Sequence, residues 1–252
     1  MNGQTKPPWL SLQGINFSRA GRTILSDISA QFGDRELTLL TGHNGSGKTT
    51  LLRIMAGLLK PDSAILQLNG SQRTGSWMRN RGILRARCCY LHQQPYLFDA
   101  TVFDNIAYGL RRQGLDSSEI ERMVGDALEV TALDHLRRRH CNELSGGEKQ
   151  RVAMVRAWVL APRLLLLDEP FANMDKPSRG KCLALINQMQ QDNIAVLLTS
   201  HDPQQGELHI SRHLHLYQGR MVGKKSPAES DQSPPASGEG EPDNTKEMKP
   251  NE

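Results

Sequence analysis

The spacing of apolar residues changes several times along this 252-residue chain, and each spacing predicts a different kind of element. Apolar and polar residues alternate over residues 9–17 and 24–32, as they do in strands with one buried face. Over residues 95–161 the apolar positions recur at helical spacing instead. The chain therefore begins with an antiparallel strand portion and later carries a block of helices, which predicts a mixed α/β fold.

Short apolar runs predict the remaining strands. They cover residues 37–41, 64–69, 163–168, 194–199 and 213–218, and a helix is expected at about 177–191. The LLLL run at 164–167 contains no polar residue, which is typical of a strand buried on both faces. We therefore expect a mixed sheet, a separate antiparallel portion and an inserted helical subdomain at about 95–161.

Two local signals refine the helical block. Ser117 and Ser118 precede two acidic residues and an apolar pattern, so they are expected to cap a helix. The segment GEKQRVAMVRAWVLA, which begins at Gly147, is expected to form an amphipathic helix.

Residues 42–49 read GHNGSGKT, which fits the phosphate-binding pattern G-x-x-x-x-G-K-[ST] between a strand and a helix. Its glycines allow a tight turn in which backbone N–H groups and the helix N-terminus point at phosphate oxygens. Lys48 supplies a positive charge for the β- and γ-phosphates, and Thr49 offers a hydroxyl to Mg²⁺. The candidate nucleotide-binding residues are Gly42, His43, Asn44, Gly45, Ser46, Gly47, Lys48, Thr49 and Thr50.

Two acidic residues, Asp168 and Glu169, directly follow the LLLL run. Asp168 then lies at the carboxyl end of a central strand, where open α/β sheets bind their ligands, and it can hold Mg²⁺ through the water shell of the ion. Glu169 is one residue further along, so its side chain points elsewhere and can polarise the attacking water as a general base. Together with the phosphate loop, the two carboxylates predict a site that hydrolyses a nucleoside triphosphate.

Four further segments stand in a fixed order along the chain. They are a glutamine loop in YLHQQPYLF with Gln93, or Gln94 in the other register, the LSGGE signature from Leu144, NMD at 173–175, and His201 in LLTSHD. With the phosphate loop and the acidic pair, these six ordered elements resemble the ATP-binding cassette superfamily, specifically the ATPase subunit of a transporter. The resemblance covers nearly all of the chain outside its tail, from about Trp9 to Val222.

The resemblance implies a P-loop NTPase core that uses ATP and Mg²⁺, in a nucleotide-binding domain spanning residues 1–224. It implies that Gln93 contacts Mg²⁺ and the attacking water, and that His201 contacts the γ-phosphate. The signature residues are implied to bind the γ-phosphate of ATP held by a second ATPase subunit. These residues are Ser145, Gly146 and Gly147. ATP is thus expected to draw two domains together head to tail, as a homodimer.

Two positions depart from the family pattern. Glu148 stands where the signature usually ends in glutamine, which leaves the serine and glycines before it in place. Where the family has an aromatic ring that stacks on adenine, this chain has Arg19, and a guanidinium plane can also stack on a base. In a shifted register, Phe17 rather than Arg19 fills that position.

Charge divides the chain into two parts. Residues 226–252 carry seven acidic residues and two lysines, a balance of −5, and the residues before them have a balance of +9. The end of the chain is also rich in Pro, Ser and Gly and poor in large apolar residues. We therefore expect residues 225–252 to form a disordered acidic tail, either a regulatory segment or a solvated extension.

Five arginines between positions 73 and 87 lie in one acid-free stretch. No array of aromatic residues accompanies them as a platform for stacked bases, so we expect no nucleic-acid partner. A solvated face, or a face near anionic lipid headgroups, explains these arginines more simply.

The chain has no stretch that approaches 18 consecutive apolar residues, and its first residues contain no apolar signal segment. Its four cysteines lack metal-ligand spacing, which favours reduced thiols. Together with these features, the resemblance to a transporter ATPase implies a peripheral protein at the cytoplasmic face of the inner (plasma) membrane.

The expected function is ATP hydrolysis that powers a separate membrane-spanning permease. Tyr96, Leu97 and Phe98 are either apolar anchors for that permease or core packing of the helical subdomain. The segment TVFDNIAYGL resembles bacterial importers of small oxyanions such as tungstate, molybdate or sulfate, which implies a periplasmic solute-binding protein in the same system. The alternatives are an exporter ATPase and a non-transport cassette ATPase of DNA repair or translation. The absence of sustained heptads and the single ATPase unit argue against the non-transport alternative.

Overall fold

The computed structural model describes residues 7–172, 174–200 and 208–222. The predicted His201, the first residue of the NMD segment and the tail at 225–252 lie outside these residues. Four of the strands are β1 (Leu10–Arg19), β2 (Arg22–Phe32), β4 (Ser63–Leu68) and β5 (Ser71–Gln72). They form an antiparallel sheet with the order β2-β1-β4-β5, as the alternating segments predict.

A second sheet carries the apolar strands. Its members are β3 (Leu37–Thr41), β6 (Cys88–Leu91), β7 (Leu164–Leu167), β8 (Ala195–Thr199), β9 (Arg212–Tyr217) and β10 (Arg220–Val222). The order is β10-β9-β3-β8-β7-β6, and the neighbouring strands are parallel except in the β9–β10 hairpin. The predicted mixed α/β class with a separate antiparallel portion is confirmed.

Six α-helices and two short 3-10 helices, Asp134–Leu136 and Cys141–Glu143, complete the described part of the chain. The α-helices are α1 (Lys48–Met55), α2 (Trp77–Arg87), α3 (Val102–Gln113), α4 (Ser117–Val130), α5 (Gly146–Trp158) and α6 (Lys176–Gln191). The sequence pattern does not predict α2, because this helix has four arginines in 11 residues and buries only Asn80 and Leu84. The strands β5 and β10, of two and three residues, are also too short to leave a pattern.

Two predictions about helix details are wrong. Asp116, not Ser117 or Ser118, caps α4, because its carboxylate accepts the backbone N–H of Glu119 at 2.9 Å. Helix α5 is not amphipathic, since from Gln150 to its end every residue is buried or half-buried. It passes through the interior between α3 and α6, so it has no solvent-facing stripe there.

The parallel sheet separates two apolar clusters. Leu164 and Leu166 pack into the cluster that includes α1 and the antiparallel sheet. Leu165 and Leu167 point the other way, into the cluster formed with α3, α4, α5 and α6. Because side chains alternate along a strand, the uninterrupted LLLL run is what a strand between two cores requires. The sheet edge that carries the functional residues is therefore held firmly from both sides.

The loop between β6 and α3 is fixed by a buried amide. The Oδ1 atom of Asn105, in α3, accepts the Phe98 N–H at 2.8 Å, and its Nδ2 atom donates to the Phe98 carbonyl at 3.1 Å. Arg156 in α5 donates to the Tyr96 carbonyl at 2.7 Å and lies 5.3 Å from the centre of the Phe98 ring. The loop is thus attached to two helices at once.

We predict that Asn105→Ala lowers the free energy of unfolding by about 2–4 kcal/mol, because a fully buried amide is lost and two Phe98 backbone groups lose their partners. Chemical denaturation of the full chain measures this change. The matched control is Gln113→Ala at the exposed end of the same helix, which should change stability by less than about 0.5 kcal/mol. An equal effect of the two substitutions would contradict the anchoring role of Asn105.

Candidate functional site

Four neighbouring parallel strands end at the same edge of the sheet, and each leads to a polar residue. The phosphate loop follows β3, and Asp168 and Glu169 follow β7. Thr199 is the last residue of β8, and Gln93 lies two residues beyond β6. Leu91 pairs with Leu167, so β6 and β7 end level with each other, and Gln93 and Glu169 each follow two residues later. The strand order thus collects residues that are far apart in the sequence.

The phosphate loop takes a backbone conformation that glycine permits. Gly47, with φ 108°, stands at the N-cap of α1, and a Cβ atom there would lie 2.7 Å from Cδ2 of Leu25. The first N–H groups of a helix have no partner within the helix, and Gly47 offers no side chain to cap them. The Ser46 hydroxyl is buried beside them without a hydrogen-bond partner in the described part of the chain. These donors surround a cavity of about 280 Å³ and fit a chain of phosphates.

Lys48 is the cation of this cavity. Its side chain is 6% exposed, and Nζ donates to the carbonyls of Gly42 at 2.7 Å and His43 at 3.3 Å. Oε1 of Glu169 lies 3.9 Å from Nζ. Burial lowers the pKa of the Lys48 ammonium, and the charges of Glu169 and Asp168 act in the opposite direction. The carbonyls and carboxylates together favour the charged form of Lys48 at this buried site.

Asp168 is held by two residues that the sequence reading misses. Oδ1 accepts the Thr199 hydroxyl at 3.1 Å, and Oδ2 accepts the Tyr90 hydroxyl at 3.0 Å. Burial raises the pKa of Tyr90 to about 12, so it remains a neutral donor. Tyr90 and Thr199 lie in the two strands that flank β7. In the sequence, both residues are visible only as polar residues near the ends of short apolar runs. The strand order is needed to show that both contact Asp168.

Glu169 departs from the strand geometry that precedes it. Its φ is 48°, in the left-handed region that few residues other than glycine occupy. The Glu169 N–H donates to the Thr199 hydroxyl at 2.8 Å, which fixes this conformation. The turn directs the Glu169 side chain into the cavity, which it lines together with Lys48 and Thr49.

The donors near Asp168 are oxygen atoms, as Mg²⁺ prefers. The buried Asp168 carboxylate and the Thr49 hydroxyl would hold the ion, with the Gln93 amide following the adjacent strand. In the described residues no group of three His, Cys, Asp or Glu side chains could hold a metal ion. One carboxylate and one hydroxyl fit Mg²⁺, which usually takes one or two carboxylates and completes its shell with water and phosphate oxygens.

The signature residues do not line this cavity. Ser145 caps α5 through a reciprocal pair of hydrogen bonds with Glu148, and the Ser145 hydroxyl holds the pKa of that carboxyl below its usual value. Glu148 is thus the second member of a capping box. Glutamate and glutamine can both fill that position, so having glutamate instead of the usual glutamine leaves the cap intact. At Gly147 a Cβ atom would lie 2.6 Å from Oγ of Ser178 in α6, so this position has room only for glycine.

Arg19 lies at the tip of the β1–β2 hairpin and is exposed. Phe17 pairs with Leu25 across that hairpin and packs against the apolar cluster below it. The hairpin residue that lines the cavity is Ile24. The structure thus brings the hairpin next to the phosphate loop, while Arg19 and Phe17 lie outside the cavity lining itself.

A second cavity, of about 390 Å³, lies between β6, α3 and α5. Phe98 and Tyr108 line it, with ring centres 4.6 Å apart, and so do Arg156 and Leu160. Tyr96 is 75% exposed beside it, and its ring meets that of Phe98 edge-on at 5.9 Å. Leu97 instead packs against the core.

Comparison with known proteins adds independent findings. A family model described as ABC transporter matches residues 25–172. The molybdate/tungstate import ATP-binding protein WtpC of Thermococcus kodakarensis is 42% identical over 168 residues, covering 66% of this chain and 48% of that protein. The sulfate/thiosulfate import ATP-binding protein CysA of Yersinia pseudotuberculosis is 36% identical over 228 residues, covering 87% of this chain and 61% of that protein. This chain therefore spans about half to three-fifths of the length of these curated relatives.

The solved structures include cbiO1 of Clostridium perfringens, described as part of the ABC transporter complex cbiONQ. It matches with a TM-score of 0.76 and 29% identity, covering 86% of this chain and 87% of that one. Across the described ranges, this chain has no helix that is both long and apolar enough to cross a membrane.

Two buried threonines give a direct test of the Asp168 arrangement. Thr199→Val keeps the shape of the side chain but leaves the Glu169 N–H and one oxygen of Asp168 without their partner. We predict a loss of about 1–3 kcal/mol in the free energy of unfolding. The matched control is Thr38→Val in the neighbouring strand β3, where the hydroxyl is equally buried but has no hydrogen-bond partner in the described structure. This control should be neutral or stabilising, and equal losses in the two variants would contradict the role of Thr199.

Proposed function

Since this chain belongs to the ABC transporter family, we propose that it hydrolyses ATP to ADP and phosphate and thereby drives a separate membrane-spanning permease. The observation that carries the proposal is that Lys48 and Glu169 line one cavity beside the phosphate loop, with the buried Asp168 close enough to act on the charge of Lys48. Only the strand order brings these residues together. Each has the chemistry that one part of phosphoryl transfer needs.

In this proposal the residues divide the work. The phosphate loop, from Gly42 to Thr50, binds the phosphates through its N–H groups, and Lys48 neutralises charge on the β- and γ-phosphates. Mg²⁺, when bound, would neutralise further phosphate charge, and we assign Thr49 and Asp168 to hold it. Glu169 accepts a proton from the attacking water, and Gln93, two residues beyond the neighbouring strand β6, orients that water. His201 is assigned to the γ-phosphate from the sequence alone.

The position of the signature residues supports an ATP-dependent dimer. Ser145, Gly146 and Gly147 stand at the start of α5, outside the phosphate cavity of their own chain, and the N-terminal end of a helix favours an anion. We assign them to the γ-phosphate of ATP in a second copy of the chain. Two cavities would then be completed by exchange of signature residues between the copies.

The cavity at Phe98 is the proposed docking site for a helix of the permease. Tyr96, Phe98 and Tyr108 offer aromatic surface at its mouth, and Tyr96 and Tyr108 are 75% and 47% exposed. Tyr96 follows Gln93 by three residues in the same loop. A partner that contacts Tyr96 would therefore be close in sequence to the glutamine proposed to orient the attacking water. Leu97 belongs to the core and is not assigned to this contact.

The solute class is proposed from the relatives. The names of two of them refer to import of molybdate/tungstate and sulfate/thiosulfate, so a small oxyanion is the proposed cargo, while another relative is an Fe(3+) ions import protein. We place the chain at the cytoplasmic face of the inner membrane, with a permease and a periplasmic solute-binding protein in the same system. The nucleotide-binding domain is proposed to span residues 1–224, before an acidic tail at 225–252.

Lys48→Ala should weaken ATP binding about 10–100-fold, because a hydrogen-bonded charge on the phosphates is lost. Titration of the full chain with ATP and Mg²⁺, followed by calorimetry, measures the dissociation constant. The matched control is Lys60→Ala, an exposed lysine beyond the end of α1, which should bind ATP as the unaltered chain does. Unchanged affinity in Lys48→Ala would overturn the assignment of the phosphate site.

Glu169→Gln should retain ATP binding but slow hydrolysis at least about 100-fold, since an amide cannot accept the proton. Because ATP is not hydrolysed, the ATP-bound dimer should accumulate. Size-exclusion chromatography with light scattering detects this dimer. Glu129→Gln, at an exposed position of α4, is the control for loss of one negative charge. Turnover at the normal rate in Glu169→Gln would show that another group is the general base.

A further inference from the structure

We propose that helix α2, together with an arginine just before it, binds the surface of an anionic lipid bilayer. The arginine cluster that makes this contact consists of Arg73, Arg79, Arg81, Arg85 and Arg87. The interaction goes beyond the function proposed above, because it requires neither a nucleotide nor a permease. Only the argument from its position beside the proposed permease site rests on that function.

The cluster concentrates charge of one sign. Five arginines and no acidic residue occur between residues 63 and 98. Four of these arginines lie within the 11 residues of α2. Like charges this close together repel one another, so a negatively charged partner would stabilise the surface that carries them.

Arginines elsewhere in the chain are neutralised by carboxylates, but those of the cluster are not. The arginines that form ion pairs within the described ranges are Arg111, Arg122, Arg137, Arg139, Arg163 and Arg212. Within the same ranges, no arginine of the cluster has an acidic partner. Arg85 donates from Nε to the carbonyl of Gly57 at 3.1 Å, and that partner is uncharged. The positive charges therefore remain available to an anion outside the chain.

The outer side of α2 is suited to lying against a flat surface. Met78, Gly82 and Ala86 follow one another at intervals of four residues, so they form one exposed strip along the helix. This strip lies opposite the buried side of α2. Arg79 and Arg85 are exposed and flank the strip, one on each side. The strip allows close approach, and the long arginine side chains reach acceptors on either side of it.

The cluster adjoins the cavity proposed for the permease. Helix α2 runs directly into β6, which lies at one edge of the parallel sheet. Cys89 and Leu91 of β6 line the cavity at Phe98. A permease that spans the bilayer and docks at this cavity would bring α2 close to the lipid headgroups.

The chemistry of the cluster favours lipid headgroups over nucleic acid. A guanidinium group binds phosphate or carboxylate oxygens through two N–H donors at once, and anionic headgroups present these oxygens. Clusters of about four to eight basic residues beside a membrane are typical of binding to anionic lipids. Single-stranded nucleic acid would require aromatic rings on which its bases stack. Trp77 is the aromatic residue of α2, and it packs against the core instead.

The test mixes the full chain, without nucleotide, with vesicles that contain no protein. One set of vesicles is phosphatidylcholine alone, and the other contains about 30% phosphatidylserine as the anionic lipid. Co-sedimentation at an ionic strength of about 0.1 M measures the bound fraction. The chain should bind the anionic vesicles at least about tenfold more tightly than the neutral ones. Salt at about 0.5 M should remove this difference, because it screens exposed charges.

Two double variants separate the cluster from the net charge of the chain. R79A/R85A should bind the anionic vesicles about 10–30-fold more weakly, because each arginine near an anionic surface contributes about fivefold. The matched control is R138A/R220A, which removes the same charge from two exposed arginines outside the cluster. This control should weaken binding by less than about threefold, since charges far from the contact are screened.

Gly82, in the middle of the exposed strip, allows a test in both directions. A Cβ atom at Gly82 would meet no other atom within 4 Å, so a side chain fits there. Gly82→Lys should tighten binding to the anionic vesicles about fivefold, and Gly82→Glu should weaken it by a similar factor. Both changes replace glycine with a better helix former, and thermal melting checks that each variant is folded.

Equal losses in R79A/R85A and R138A/R220A would overturn the proposal, as would shifts in the same direction in the two Gly82 variants. If the unaltered chain bound duplex DNA but no vesicles, the cluster would belong to a nucleic-acid partner. If only the variant E239Q/E241Q/D243N bound vesicles, the acidic end of the chain would be the partner of the cluster instead. Without membranes, R79A/R85A should bind and hydrolyse ATP as the unaltered chain does. Failure of the lipid proposal would therefore leave the roles of Lys48 and Glu169 unaffected.

Discussion

Keeping a buried ammonium group charged is the constraint on which this structure depends. The Lys48 side chain is 6% exposed, and removal from water alone favours its neutral form. Two carbonyls of the phosphate loop point inward at its Nζ, which requires the backbone turns that glycine provides. The nearby carboxylates of Asp168 and Glu169 add their charge, and the second of them reaches Nζ only because its backbone leaves the strand geometry. The loop, the cation and the acidic pair therefore form one electrostatic unit.

The sequence predicts those parts of the fold that are written in consecutive residues. The phosphate loop and the LLLL run are local patterns, and both lie where the pattern puts them. Tyr90 and Thr199 could not be predicted as partners of Asp168, because their hydrogen bonds depend on β6 and β8 flanking β7. A local pattern also fails to predict a helix cap where several adjacent residues could serve. In α4, Asp116 takes the capping position that Ser117 and Ser118 were expected to fill.

Burial limits what periodicity reveals about the helices. In α5 a side chain on almost any face meets another element, so its apolar residues carry no information about which side is outside. In α2 the opposite holds, since a helix with few buried residues gives almost no apolar signal. The aromatic cavity at Phe98 was visible in the sequence only as three adjacent apolar residues. The structure divides them, with Leu97 in the core and Tyr96 at the surface.

The contact at Gly147 has a consequence for how the molecule moves. Ser178 lies so close to this glycine that no side chain fits there, so the starts of α5 and α6 are in direct contact. The same α6 begins with the Asp175 cap, six residues after Glu169. A rotation of the helices against the sheet would therefore displace Gly147 and the capped start of α6 in a single motion. One close glycine contact thus couples the movement of the start of α5 to that of the start of α6.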